Sequence, residues 1–392
     1  MNKRILYLSF YFEPDLCAGS FRNSPLAHEL SRQGISKEVE IEVITTLPNR
    51  YSTYSVDARE FEKIGNLSIK RIQIPGHKSG VKDQMLSFKV YFAEVMKYIS
   101  GKHYDLVFAS SSRLFTAYLG YRIASRRRLP LYLDIRDIFV DTIKDVFSSG
   151  LLRASVLPVM KFIEGRVFNY ATHINLISGG FRDYFKRYSR PVYSFYTNGI
   201  DPVFINCKKE YPLKDSPVRT VLYAGNIGEG QGLHKVIPQA AAMLGGHVQF
   251  RIIGDGGAKK KLLDAVEASG VRNVSVVPPM TREHLIDEYN KADFLFIHLN
   301  DFDAFKKVLP SKIFELGVFP KPLIAGVDGF ARKFISDNLP DALLLKPCDS
   351  SGLFETISSY NRAQIHDRRE FIRVFNRESL NRQMAESILS YL

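Results

Sequence analysis

The sequence predicts an α/β protein made of two Rossmann-like domains in succession, and three observations carry that prediction. Short β-rich apolar runs alternate with longer segments of helical period over almost all of the 392 residues, the pattern of parallel sheets covered by helices. The alternation pauses at a polar, proline-containing stretch just after residue 197 and then restarts. The chain is also too long for one ordinary core and of comfortable length for two.

Taken in order, strands are expected at 5–10, 41–45, 69–74, 106–110, 131–135, 173–177 and 192–195, with helices between several of them. The second half repeats the pattern with strands at 220–225, 248–253, 274–277, 294–299, 322–325 and 342–345. The boundary is expected within 197–217, where Asn198-Gly199-Ile200-Asp201-Pro202 supplies turn residues and 208–217 is polar with two prolines. This gives a first domain at 1–198, a linker at 199–217, a second domain at 218–365 and a terminal segment at 366–392, with a cleft between the domains. The terminal segment has helical spacing and charged faces; it either crosses back over the first domain or is an ordinary terminal helix. No repeat of solenoid length and no low-complexity tract is present.

Composition narrows the class. A hydrophobic fraction of 45% with 24% charged residues is that of a globular protein, and no apolar run is long enough to span a bilayer. The short run from Ile5 to Phe12 carries tyrosines and meets Glu13-Pro14-Asp15 with no small-residue cleavage site, so it reads as a strand rather than a leader. Cys17, Cys207 and Cys348 are far apart, odd in number and without metal-ligand spacing, which predicts a reducing, cytoplasmic setting with neither disulfide frame nor zinc site. A formal net charge of +13, with a local run at Arg126-Arg127-Arg128, suits attraction to polyanions; a basic but inert surface is the alternative.

Three loops carry candidate chemistry. Phe12-Glu13-Pro14-Asp15-Leu16-Cys17-Ala18-Gly19-Ser20 joins a strand to a helix, and Gly19 either admits an anionic group to the backbone or simply makes the turn. It lacks the spacing of a dinucleotide fingerprint. The run Gly225-Asn226-Ile227-Gly228-Glu229-Gly230-Gln231-Gly232 again joins a strand to a helix and is a candidate phosphate cradle, and Gly254-Asp255-Gly256-Gly257 repeats the device after the next strand. The most specific stretch is Pro310-Ser311-Lys312-Ile313-Phe314-Glu315. Pro310 at a helix start leaves Ser311 and Lys312 in the first turn, suited to a diphosphate, and Glu315 at i+4 from Ser311 faces the same side and suits the hydroxyls of a ribose. Ser311 as a plain cap and Glu315 as a solvated helix charge remain the alternatives.

Together these residues resemble family 4 retaining glycosyltransferases of the GT-B fold, particularly those that build bacterial O-antigen and capsule repeats. The resemblance covers nearly the whole chain: the first loop through Gly19, residues 105–116, Leu133-Asp134-Ile135-Arg136-Asp137, the Asn198-Gly199-Ile200-Asp201 turn, and most strongly Pro310 to Glu315 with Lys321-Pro322-Leu323-Ile324. It implies an acceptor-binding first domain and a nucleotide-sugar-binding second domain facing a central cleft. In an E-x7-E pattern, Glu315 is the ribose-binding glutamate. The position of the first glutamate is Lys307, and the usual Arg and Lys of the glycine loop are Asn226 and Gln231. A subfamily similar to N-acetylfucosamine transferases shares these departures.

The resemblance further implies transfer with retention and no required metal or cofactor beyond the nucleotide-sugar cosubstrate, with uridine the expected base. Lys312, the N–H groups near Ser311 and the loops at Gly19 and Gly228 are then expected to stabilise the departing diphosphate. Asp137 either orients an acceptor hydroxyl or forms an ion pair with Arg136 or Arg113, and His103 and His173 read as ordinary histidines. The acceptor implied is a polyprenyl-diphosphate-linked saccharide, reached from the inner face of the cell membrane. Residues 122–128 and 151–167 are candidates to rest on an anionic leaflet, the bland reading of 151–160 being a core helix. A dinucleotide oxidoreductase is disfavoured by the absent fingerprint, and nucleic-acid binding by the lack of any basic-aromatic stacking motif. A non-catalytic sugar-nucleotide binder or assembly subunit remains a rival, because the replaced Arg, Lys and Glu are losses of the kind a pseudoenzyme shows.

Overall fold

Strands that are apolar on both faces must be covered on both faces, and the first strand obeys this: Ile5, Leu6, Tyr7 and Leu8 are all fully buried. The computed structural model describes residues 2–15, 17–48, 57–75, 81–111, 114–138, 140, 150–210, 218–360 and 366–392. It divides into one unit formed by Met1–Asn198 with Glu378–Leu392, and a second formed by Gly199–Arg377.

The first unit holds strands β1 (Lys3–Leu8), β2 (Val39–Thr46), β3 (Phe61–Ile64), β4 (Leu67–Ile72), β5 (Leu106–Ser111), β6 (Leu131–Ile135), β7 (His173–Leu176) and β8 (Val192–Ser194). They form one sheet in the order β3-β4-β2-β1-β5-β6-β7-β8. Every pairing is parallel except β3 with β4, a hairpin. Strand β3 was not among the expected ones; it is an edge strand, largely exposed, so no apolar run marks it. Helices α1 (Ala18–Gly34), α2 (Val81–Tyr98), α3 (Leu114–Arg127) and α4 (Gly150–Tyr170) connect the strands.

In the second unit, β9 (Arg219–Ala224), β10 (Val248–Ile253), β11 (Val274–Val277), β12 (Phe294–His298), β13 (Leu323–Gly326) and β14 (Leu343–Leu345) form an all-parallel sheet. Its order is β11-β10-β9-β12-β13-β14. Both sheets therefore reverse direction beside their first strand, and such switch points are where open α/β sheets bind ligands, beyond the carboxyl ends of the strands.

The stretch expected to be a linker begins inside the second unit. Ile200 and Phe204 are fully buried in that unit's core, and Asp201 accepts from Arg282 and Arg377, each at 2.7 Å. Residues 211–217 lie outside the described residues, as does Arg113. At the other end, His366, Arg368 and Phe371 are buried in the second unit, whereas Met384, Ala385, Ile388 and Leu389 join the first unit's core with Tyr7, Leu26 and Phe108. Arg127 of the basic run turns inward, donating to the carbonyls of Lys102 and Ile99 at 2.7 Å each, while Arg126 and Arg128 stay exposed.

Candidate functional site

At the switch point of the second sheet, two glycine loops lie against each other. The Gly225 N–H donates to the Ile253 carbonyl (2.9 Å), Ile227 N–H to the Asp255 carbonyl (2.8 Å) and Ala258 N–H to the Ile227 carbonyl (2.9 Å). Gly254 has a φ of 153°, and a Cβ there would stand 1.9 Å from the Gly225 carbonyl oxygen, so only glycine allows the loops to meet. Asn226 and Gln231 face each other: the Asn226 amide donates to Gln231 Oε1 (2.8 Å), which also accepts from the Gly228 N–H (3.2 Å). Asp255 is exposed and accepts from the Gly256 N–H at 2.9 Å. Gly225, Asn226, Gly228, Gln231, Gly254, Asp255 and Gly256 are thus brought together as one double loop.

Beside it lies the short helix Lys312–Leu316, preceded by Pro310 and Ser311. Ser311 sits at the cap position but its side chain caps nothing, and Pro310 precedes the helix rather than opening it. Lys312 Nζ donates to Glu315 Oε2 at 2.7 Å, and the Tyr289 hydroxyl donates to the same oxygen at 3.3 Å. Burial disfavours the Lys312 charge, but Glu315 and then Tyr289 outweigh it, so its pKa lies above the ordinary lysine value. Burial raises the Tyr223 pKa while the Lys312 charge lowers it, and the Tyr223 hydroxyl donates to the Asn226 carbonyl at 2.7 Å. Tyr223 is thus bonded to the first glycine loop and feels the Lys312 charge.

The support for this loop was not visible in sequence. His298, buried at the end of β12, accepts from the Cys348 N–H through Nε2 (2.8 Å), so Nδ1 carries the proton and donates to the Gln231 carbonyl (2.5 Å). Burial pushes its pKa down to about 4. Asn300 donates to the Glu229 carbonyl (2.7 Å) and accepts from Lys235 Nζ (3.0 Å). Only the chain's return along a neighbouring strand puts these residues under the loop.

Gly19 and Asp137 belong to the first unit. Arg22 on α1 makes a two-pronged pair with Asp134 at the end of β6, both contacts 2.7 Å, and both side chains are almost wholly buried. Asn175 (2.8 Å) and Ser110 (3.0 Å) also donate to Asp134; burial works to raise its pKa, but Arg22, the Asn175 amide and the Arg136 charge together hold the carboxyl below the ordinary range. Arg136 and Asp137 follow directly. Asp137 reaches solvent and also lines a cavity of about 10 Å³, room for about one water, with Ser111, Leu114, Glu164 and Phe168. Its protein surroundings push the carboxyl up to about 6, with the Arg136 charge pulling the other way. Of the two cations considered as its ion-pair partner, Arg136 makes no such pair among the described residues.

Among the described residues no group of three or more His, Cys, Asp and Glu could hold a metal ion, and no helix is long and apolar enough to cross a membrane. Residues 207–373 match the family model of glycosyl transferases group 1. The matched residues make up most of the second unit and less than half of the chain. Part of the chain resembles a curated protein, the putative colanic acid biosynthesis glycosyl transferase WcaI of Escherichia coli K12, with 34% identity over 95 residues. That match takes in 24% of this chain and only 23% of the relative. Solved structures resemble nearly the entire chain. Sucrose-phosphate synthase of Thermosynechococcus elongatus has a TM-score of 0.76 at 14% identity, covering 99% of both chains. HepE of Anabaena, solved with UDP-glucose, has a TM-score of 0.67 at 16% identity, again covering 99% of both. With a Rossmann-like sheet in each unit and these structural likenesses, the fold is GT-B, as the resemblance implies; the alternation of strands and helices predicts the two sheets. The double glycine loop and the Lys312–Glu315 pair both lie within the matched residues.

Proposed function

We propose that the chain transfers a sugar from a nucleotide diphosphate donor, uridine-linked, to a polyprenyl-diphosphate-linked saccharide during synthesis of a bacterial surface polysaccharide, with retention at the anomeric carbon. The observation that carries this reading is the meeting of a double glycine loop with Lys312 and Glu315 at the switch point of a group 1 glycosyltransferase domain. The likeness to HepE, solved with UDP-glucose, supports a uridine donor, and the likeness to a colanic acid transferase supports the polysaccharide setting. An N-acetylated sugar is the donor expected from the resemblance.

The chemistry needs positive charge where the diphosphate departs. Lys312, whose raised pKa keeps it charged at neutral pH, supplies the charge. The N–H groups of the glycine loops supply neutral donors in the place usually taken by Arg and Lys. Glu315, held by Lys312 and Tyr289, is positioned to accept from ribose hydroxyls. Asp137 takes the role of orienting the acceptor hydroxyl. Contact with an anionic leaflet is part of the proposal: Val159 and Phe162 are exposed on α4 next to Lys161 and Arg166, a mixed apolar and basic face suited to a membrane surface.

A second reading, a non-catalytic nucleotide-sugar binder, is favoured by one observation. Asn226 and Gln231 satisfy each other rather than standing open to a ligand. Titration calorimetry with UDP and UDP-sugars tests the donor site common to both readings. Glu315→Ala is expected to weaken UDP binding about tenfold or more, the loss of one or two charge-assisted hydrogen bonds, with little change in melting temperature. Unchanged affinity would remove Glu315 from the site.

A further inference from the structure

Three successive carbonyls of the first glycine loop are held from one side by two residues at the end of β12 and just beyond it. His298 Nδ1 donates to the Gln231 carbonyl (2.5 Å), the Asn300 N–H to the Gly230 carbonyl (2.8 Å) and the Asn300 amide to the Glu229 carbonyl (2.7 Å). The C=O and N–H of a trans peptide point opposite ways, so fixing the Glu229 carbonyl turns the Gly230 N–H away from β12. The N–H groups of Gln231 and Gly232 close the turn on the Gly228 carbonyl, at 3.1 and 3.3 Å.

Both anchoring residues are themselves fixed. His298 and Asn300 are 1% and 2% exposed. The Cys348 N–H donates to His298 Nε2 (2.8 Å) from a backbone whose φ of 59° is uncommon for a residue with a side chain. A Cβ at Gly326 would stand 2.4 Å from the imidazole Cδ2, and one at Gly232 would stand 2.9 Å from Asn300 Cγ, so two glycines leave the room these side chains fill. Asn300 Oδ1 accepts from Lys235 Nζ (3.0 Å), which leaves the amide nitrogen to donate to the loop.

Such anchoring matters most in a loop with no cation of its own. A lysine or arginine side chain can reach for an anion, whereas a backbone N–H binds one only where its peptide plane already points. Here the Asn226 amide is spent on Gln231 Oε1 (2.8 Å), so recognition is left to the backbone. We propose that His298, supported by Asn300, is a positioning residue that keeps the 228–232 loop in the shape that binds the donor's diphosphate. The inference deepens the glycosyl-transfer reading and rests on it for the choice of diphosphate. Every residue involved belongs to the second unit.

The test compares the full wild-type chain with His298→Leu and His298→Asn, by titration calorimetry with UDP and by hydrogen exchange of the 228–232 amides. Leucine removes the donor to the Gln231 carbonyl; asparagine keeps one, because its amide nitrogen takes the place of Nδ1. His298→Leu is expected to bind UDP about tenfold or more weakly and to exchange those amides faster, whereas His298→Asn stays within about threefold of wild type in both. Ile357→Val controls for a general loss of stability, since Ile357 is buried and its carbonyl accepts from Arg219 at the other end of β9 from the loop (2.8 Å). If His298→Leu does not fold, Asn300→Ala, which frees the Glu229 carbonyl, takes its place with the same expected losses. Wild-type affinity and exchange in His298→Leu overturn the inference, as does a loss that His298→Asn and Ile357→Val share in equal measure. Glu315→Ala, run in parallel, separates the two claims. Weaker UDP binding in Glu315→Ala alone leaves the donor reading standing and refutes the inference. A wild type that binds no nucleotide, with faster loop exchange in His298→Leu and rescue by asparagine, leaves the positioning role standing and refutes the donor reading.

Discussion

Asp137 owes its character to position. It follows a strand whose own aspartate is consumed by Arg22, and desolvation pushes its carboxyl up to about 6 against the pull of the neighbouring Arg136 charge. A carboxylate with that pKa is a competent proton acceptor at neutral pH. The account predicts that kcat/KM for transfer rises with pH to a plateau with an inflection near 6. In Asp137→Asn the inflection disappears and the rate falls about 100-fold or more; a variant with wild-type rate and profile would show that Asp137 has no part in the reaction. At this scale the sequence was legible where the candidate residues sit in short motifs. Lys312 and Glu315 are three residues apart, and a helical turn necessarily brings them together. It was not legible where partners are remote. Arg22 meets Asp134 across 112 positions, and nothing local in either neighbourhood announces the pair.

The two glycine loops depend on their elements. Strands β9, β10 and β12 deliver Gly225, Gly254 and His298 to one end of a parallel sheet, and backbone hydrogen bonds between the first two loops fix their separation. Because the Gly225 carbonyl fills the space where a Cβ at 254 would go, Gly254→Ala should cost about 3 kcal/mol or more of stability by denaturant unfolding, a combination of steric overlap and an unfavourable φ. A loss below about 0.5 kcal/mol would mean the loops can part without penalty. The strands were readable from sequence because those buried on both faces appear as unbroken apolar runs, as at Leu222–Ala224 and Phe294–Ile297. Exposed β3 gives no such run, and its pairing with β4 is visible only once both are in the sheet.

Across the whole molecule, acid stability follows from buried imidazoles. His173 and His298 are each pushed down to about 4 by burial, so the folded chain resists the protons that the unfolded chain accepts below about 6.5. A depressed folded pKa means that stability is complete above 6.5 and is lost as pH falls from there towards 4, by about 3 kcal/mol per histidine. Asp137 works in the opposite sense, since its raised pKa adds stability as pH falls through 6, and it offsets part of one histidine's loss. Asp341, held down to about 2 by hydrogen bonds from His366 and Arg368 against the cost of its burial, adds a second loss below about pH 4. Urea unfolding should therefore show a stability that falls between pH 6.5 and 4; a flat profile there would contradict the burial of both histidines. The two-sheet plan, like the strands, was legible from periodicity. A return of the chain's end to the first unit was one of the two readings of 366–392, but the point of return was not legible: residues up to 377 belong with the second unit and those after it with the first, a division made by tertiary packing rather than by any break in helical pattern.

The central claim is glycosyl transfer, and it is tested most directly by measuring UDP release from a panel of UDP-sugars with and without a polyprenyl-diphosphate-linked saccharide, for the wild-type chain and for Lys312→Met. The account predicts release that depends on the acceptor and falls at least 100-fold in the variant, which keeps its melting temperature but lacks the charge that stabilises the departing diphosphate. A wild-type chain that binds a UDP-sugar yet releases no more UDP than Lys312→Met would contradict it and identify a non-catalytic sugar-nucleotide binder.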